Sequence, residues 1–127
     1  MIEGRVNANG EATIDLILHD NAGEERTVEA IIDTGFTGYL SLPAVLIDRL
    51  DLPWAGRGQA LLADGSLHVF DMYIGRVMWD GQQRTIEVDE ADTEPLAGMG
   101  LLRGHSLRVD VVENGIVRIE ALYGAAE

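Results

Sequence analysis

Ala30-Ile31-Ile32-Asp33-Thr34-Gly35-Phe36-Thr37-Gly38-Tyr39-Leu40 is the stretch on which the rest of the chain turns. An apolar run stops at a carboxylate, a hydroxyl and a glycine, then gives way to a second apolar run. In isolation Asp-Thr-Gly is a turn signal, because Asp and Thr bond nearby backbone and Gly supplies positive φ. A buried strand that delivers a carboxylate to its own end on a glycine turn also places that carboxylate for chemistry. The segments on either side decide between the two readings.

Upstream, Ile2 to Asn7 predicts a first strand. Ala12 to His19 predicts a second, with Ile14, Leu16 and Leu18 on one face at period two. Arg26 to Ile32 predicts a third, with Val28, Ala30 and Ile32 alternating. Asn9-Gly10 reads as a type I′ hairpin turn, which wants positive φ at both central positions, and Asp20-Asn21-Ala22-Gly23 turns the chain again. The result is a β-meander whose last strand runs into Asp33. Ile2-Glu3-Gly4-Arg5 coincides with a common tag-cleavage sequence; it reads as native because the strand pattern runs through it.

Downstream, Gly38 to Leu42 predicts a short strand. Pro43 opens a helix to Leu50, where its missing N–H costs nothing, with Val45, Leu46 and Leu50 at roughly helical spacing; Leu52-Pro53-Trp54 ends it. Gly58 to Leu62 and Leu67 to Tyr73 form a hairpin over Ala63-Asp64-Gly65-Ser66, a polar tip. Val77-Met78-Trp79 and Arg84 to Val88 form another over Asp80-Gly81. Asp89 to Glu94, with Asp89, Glu90, Asp92 and Glu94, reads as a solvated acidic connector. Pro95 to Gly104 reads as a buried apolar turn entering one or two turns of helix. His105 to Val112, with Leu107, Val109 and Val111 alternating, pairs with Ile116 to Leu122 across Asn114-Gly115. Fifteen glycines and three prolines among short apolar runs point to a mostly β protein with tight turns. An apolar run followed by a glycine turn occurs around Gly35 and echoes around Gly98.

A length of 127 residues suits one domain with a real core. A formal charge of −13 argues against nucleic acid, an anionic membrane or a strongly acidic peptide as partner, and its plainest meaning is solubility. With no cysteine there is no disulfide framework, thiolate zinc site or cysteine nucleophile, which fits a reducing cytoplasm. Neither a signal-type apolar run nor a span of about 20 apolar residues occurs. His19, His68 and His105 are scattered without paired metal-ligand spacing, so neither metal nor cofactor is expected. Gly98-Met99-Gly100 with Gly104 fits neither the dinucleotide nor the P-loop spacing, and no Gly-x-Ser-x-Gly elbow occurs. Trp54 and Trp79 read as core or rim residues, and Asp15, Asp71 and Asp110 as solvent-facing.

In this order the segments resemble the single-domain, retropepsin-like (clan AA) aspartic proteases. They comprise a meander, Ile31-Ile32-Asp33-Thr34-Gly35, a hairpin about Asp64-Gly65, Leu96-Ala97-Gly98 with Met99 to Leu102, and the strand Leu107 to Val112. Phe36 makes the chain similar to the bacterial-type subgroup with Phe after Asp-Thr-Gly. The resemblance implies an all-β fold, a small closed β-barrel with one or two short helices, over a single domain 1–127. It implies an aspartic endopeptidase with Asp33 as the catalytic residue. Two carboxylates held together cannot both ionise easily; one serves as base toward a water while the other donates a proton to the scissile carbonyl. With one Asp-Thr-Gly per chain, the pair requires a C₂ homodimer in which Asp33 meets the partner's Asp33.

By the same resemblance Thr34 bonds across the axis, Gly35 packs closely and aims its N–H at the carboxylate, and Phe36 completes the loop. Asp64, Gly65 and Ser66 form a flap over a substrate bound as an extended strand. Gly98 belongs to a structural turn that buttresses the loop. Two positions depart from the family: Phe36 stands where many relatives have Ala or Ser, and Gly100 where Asp or Asn is common. The alternative function is a peptide-binding or assembly module that keeps barrel and dimer without turnover. Ala125-Ala126-Glu127 ends the chain, leaving open whether the termini form an intersubunit sheet.

Overall fold

The expected meander is present in a computed structural model, which describes residues 1–123. Its strands are β1 (Ile2–Val6), β2 (Ala12–His19) and β3 (Glu25–Ile32). β2 pairs antiparallel with both neighbours, Ile14 standing opposite Gly4 and Ala30, and Leu16 opposite Val28. Alternation sends Ile14, Leu16, Leu18, Val28 and Ala30 into the core, none more than 8% exposed. A Cβ on Gly4 would overlap the Thr13 carbonyl oxygen, so the Ile2-Glu3-Gly4-Arg5 segment is part of the sheet.

The turns differ from the reading at Asn9-Gly10. Only Gly10 has positive φ there, at 79°, so the turn is not type I′. Asn7 N–H donates to Glu11 O and Gly10 N–H to Asn7 O, which is a three-residue loop closed by a glycine. The same two bonds recur between Asp20 and Glu24 and between Leu62 and Ser66, closed by Gly23 and Gly65. Side chains select this form: Asn7 Oδ1 accepts from the N–H groups of Asn9 and Glu11, as Asp20 Oδ1 does from Ala22 and Glu24. Asp80-Gly81 has positive φ at both residues, 51° and 82°.

The remaining elements are β4 (Leu40–Leu42), α1 (Ala44–Leu50), β5 (Trp54–Leu61), β6 (Leu67–Trp79), β7 (Gln82–Glu90), β8 (Leu96–Ala97), α2 (Met99–Leu102), β9 (His105–Val109) and β10 (Ile116–Ala121). Six strands close a ring in the order β2, β6, β7, β4, β8, β3. Closure comes where Ile17, Leu18 and His19 of β2 meet Met78, Val77 and Arg76 of β6. β5 hangs from the far end of β6, and β1, β10 and β9 extend the sheet from β2. The core lies inside this ring, with Leu18, Leu40, Leu42, Val77, Val88, Ala97 and Leu101 at 0% exposure.

Several readings are corrected. β6 is one strand of 13 residues where two were expected, because Gly75 pairs with Ile86 without a break and leaves room for Val88. Asp89 and Glu90 are not connector but the end of β7, half-buried and paired with Ser41 and Leu42 of β4. Pro43 caps α1 from outside, and the helix buries Ile47 and Leu50 while Val45 is 54% exposed. β9 stops at Val109, leaving Val111 70% exposed. Trp79 is core at 3% exposure, whereas Trp54 is a rim residue at 60%. No described helix is long and apolar enough to cross a membrane. Ala125, Ala126 and Glu127 lie outside the described residues.

Candidate active site

Asp33 stands where β3 leaves the ring. Ile31 and Asp33 donate their N–H groups to Pro95 O and Ala97 O, both at 2.9 Å, so the parallel β3–β8 ladder runs on through Asp33. Residues two apart on such a ladder face the same way. Asp33 therefore shares the face of Ile31, while Ala30 and Ile32 turn toward the core. The carboxyl is half-buried, and its Oδ1 accepts the Gly35 N–H at 2.9 Å. Phe36 N–H donates to Asp33 O at 3.2 Å and tightens the turn.

Gly35 is favoured by space rather than by φ. It is not among the positive-φ glycines, but a Cβ on it would stand 3.3 Å from Asp33 Oδ1. Thr34 is exposed, and its hydroxyl makes no hydrogen bond among the described residues. The loop continues through Phe36 and Gly38 and is bound to the second glycine turn by backbone bonds. Gly98 N–H donates to Tyr39 O, Met99 N–H to Phe36 O and Gly100 N–H to Gly38 O, at 2.8 to 2.9 Å.

Packing at this junction leaves no spare volume. A Cβ on Gly98 would come within 2.4 Å of Gly38 O and 2.6 Å of Phe36 Cδ2. On Gly38 it would meet Phe36 Cζ at 2.6 Å, and on Gly100 it would press Gly38 O at 2.9 Å. The two departures from the family pattern thus fit together: Phe36 fills the space left by Gly38 and Gly98. At Gly100 it is a backbone N–H that reaches the loop.

The structure brings Thr34, Gly35, Phe36 and Gly98 together with Asp33, but among the described residues the hairpin tip at Asp64, Gly65 and Ser66 bonds only within its own hairpin. Asp64 Oδ1 accepts from both the N–H and the hydroxyl of Ser66, and the hydroxyl bond, then the N–H bond, hold the Asp64 carboxyl below the usual range. All three tip residues are exposed.

The strand registers extend the Asp33 face into a wall. Ile31 stands beside Leu96, Leu96 beside Ser41, Ser41 beside Asp89, Asp89 beside Met72, and Gly58 beside Phe70 one rung further up β6. Cross-strand partners share a face, so these side chains line the same side as Asp33. Most are apolar; Ser41 and Asp89 are not. Sequence reading missed both, the first because Leu40 and Leu42 dominate its strand and the second because its acidic neighbours suggested a loop. Burial, then the charge of Glu87, pushes the Asp89 carboxyl above the usual range. Among the described residues no three His, Asp or Glu side chains gather where they could hold a metal ion.

No protein-family model matches this chain, and no curated protein matches it. It is similar in structure to a retropepsin-like aspartic protease from Rickettsia conorii, with a TM-score of 0.61 and 17% identity. The alignment covers 94% of this chain and 89% of the other. That likeness establishes the fold: an all-β, retropepsin-like barrel with short helices.

Proposed function

We propose that the chain is an aspartic endopeptidase that works as a homodimer, one domain over 1–127, of the bacterial-type subgroup with Phe after Asp-Thr-Gly. The observation that carries this is Asp33 itself: a half-buried carboxyl at a strand end, bonded by the Gly35 N–H and held on a loop fastened to residues 97–100. That much machinery around one exposed turn has no evident use in a scaffold. The retropepsin-like fold supports the same reading.

Asp33 and the partner's Asp33 share one proton at the two-fold axis. The ionised member takes a proton from water as it attacks the scissile carbonyl, and the protonated member donates to the carbonyl oxygen. Thr34, exposed and with no hydroxyl hydrogen bond among the described residues, reaches across the axis. The β5–β6 hairpin, tipped by Asp64, Gly65 and Ser66, closes over the peptide, and Gly98 holds the loop in place. No metal or cofactor takes part, and the protein acts in the cytoplasm on peptide or protein substrates.

The test is cleavage of a diverse peptide mixture from about pH 4 to 7 by the native protein and by Asp33→Asn. Cutting by the native protein alone supports the peptidase. If neither cuts while both are dimers that bind peptide, the chain is a binding or assembly module.

A further inference from the structure

We propose that Asp89 and Ser41 form a polar subsite on the wall that extends from the Asp33 face and that it takes the cationic end of a Lys or Arg side chain of the bound peptide. The inference rests on the peptide-binding cleft proposed above and names its substrate class.

Three observations meet here. Ser41 is 3% exposed, and its hydroxyl has no hydrogen-bond partner among the described residues. Buried polar groups without partners are rare in folded proteins, and a hydroxyl left so is satisfied by whatever docks against it. Asp89 is its cross-strand neighbour on the Asp33 face. The Asp89 carboxyl accepts no hydrogen bond and pairs with no cation among the described residues. Beside it Gly38 lets the Phe36 ring and the Asp89 carboxyl approach together, since a Cβ there would stand 2.6 Å from Phe36 Cζ and 3.2 Å from Asp89 Oδ2.

The surroundings fit a long side chain with a charged end. Leu96, Met72 and Phe70 on the same wall offer apolar contact to its stem, while Asp89 and Ser41 accept from its tip. A half-buried carboxylate with no partner is unfavourable, and a cation arriving with its substrate removes that cost. Glu87, two residues along β7 on the same face, adds to the negative field. An acidic side chain is repelled by the same groups. A purely apolar one leaves the Ser41 hydroxyl and the Asp89 carboxyl unbonded.

The experiment uses full-length protein carrying Asp33→Asn, which binds without turnover. Fluorescence anisotropy measures its affinity for labelled peptide pools that differ only in lysine or norleucine at one fixed position. At one position lysine binds about tenfold more tightly than norleucine. Asp89→Asn, nearly isosteric, abolishes that preference, and Asp89→Leu reverses it. Ser41→Ala reduces it without changing the melting temperature by more than a few degrees. Norleucine equal or superior at every position overturns the proposal, as does a lysine preference that survives Asp89→Asn, or no peptide binding at all. Cleavage by protein with Asp33 intact is followed in parallel. Lysine-dependent binding without cleavage keeps the subsite and sinks the peptidase; cleavage without lysine preference does the opposite.

Discussion

The ring of Phe36 lies so close to Gly98 that a side chain on Gly98 would have no place: its Cβ would come 2.6 Å from Phe36 Cδ2 and 2.7 Å from Phe36 O. The Asp33 loop and the turn that supports it are therefore in direct contact, ring on backbone, and neither can move without the other. Gly98→Ala is expected to cost about 1–3 kcal/mol by overpacking, with the proposed cleavage lost because the loop shifts. Thermal melts and peptide assays on the same samples check both.

Gly38→Ala separates ring from backbone. Its Cβ would meet Phe36 ring atoms at 2.6 and 2.7 Å, whereas Gly98→Ala also meets Gly38 O at 2.4 Å. Adding Phe36→Ala is expected to relieve Gly38→Ala substantially and Gly98→Ala little. A double-mutant cycle in denaturant melts measures the two couplings; equal relief in both would show that the Gly38 carbonyl yields.

Asp20 sets the stability at its own turn. The Glu24 N–H, opposed by partial burial and aided by Arg26 and the Ala22 N–H, holds the Asp20 carboxyl below its ordinary value. A lowered folded pKa gives stability that is present above the unfolded pKa and lost as pH falls through the folded one. Asp20→Asn should therefore be less stable than the native protein at neutral pH, and the gap should close in strong acid. Urea melts at pH 7 and at about pH 2, below the ordinary carboxylate range, compare them.

Asp89 works in the other direction. Its raised pKa means that the folded state holds the proton more tightly than the unfolded chain. The contribution is greatest below the unfolded value and is lost as pH rises through the folded one. In the peptide-free protein, native stability should fall relative to Asp89→Asn as pH rises from about 4. Parallel curves for the two proteins would contradict this.

Thr34→Val is expected to weaken the proposed dimer and leave the fold of each subunit intact, since Thr34 is exposed and its hydroxyl makes no hydrogen bond among the described residues. Sedimentation over a dilution series reads the dissociation. Activity should fall with the dimer and return at high protein concentration.

The meander was legible because Ile14, Leu16 and Leu18 alternate without interruption. Asp33 was legible because an apolar strand ends on it. Longer-range facts decided the rest. Nothing local says that Asp89 belongs to a strand; its pairing with Ser41, 48 positions earlier, does. The break expected after Tyr73 does not occur, because Gly75 is wanted by the Val88 side chain. The close packing expected of Gly35 beside the carboxylate is present, without the positive φ of a turn glycine. Val111 continued an alternation that ends when Val112 N–H turns back to Asp110 O.

β6 has one further consequence, for how such a chain can change length. It carries the hairpin tip at one end and the barrel closure at Arg76–Met78 at the other, with no irregularity in its pairing to β7. Side chains alternate along it, so one residue inserted between Met72 and Arg76 would turn every position out to Leu67 onto the opposite side. Phe70 would leave the Asp33 wall and Asp71 would take its place. Insertions and deletions are therefore tolerated at Ala63–Ser66 and excluded from the strand, and related chains should vary in the length of this hairpin only at the tip.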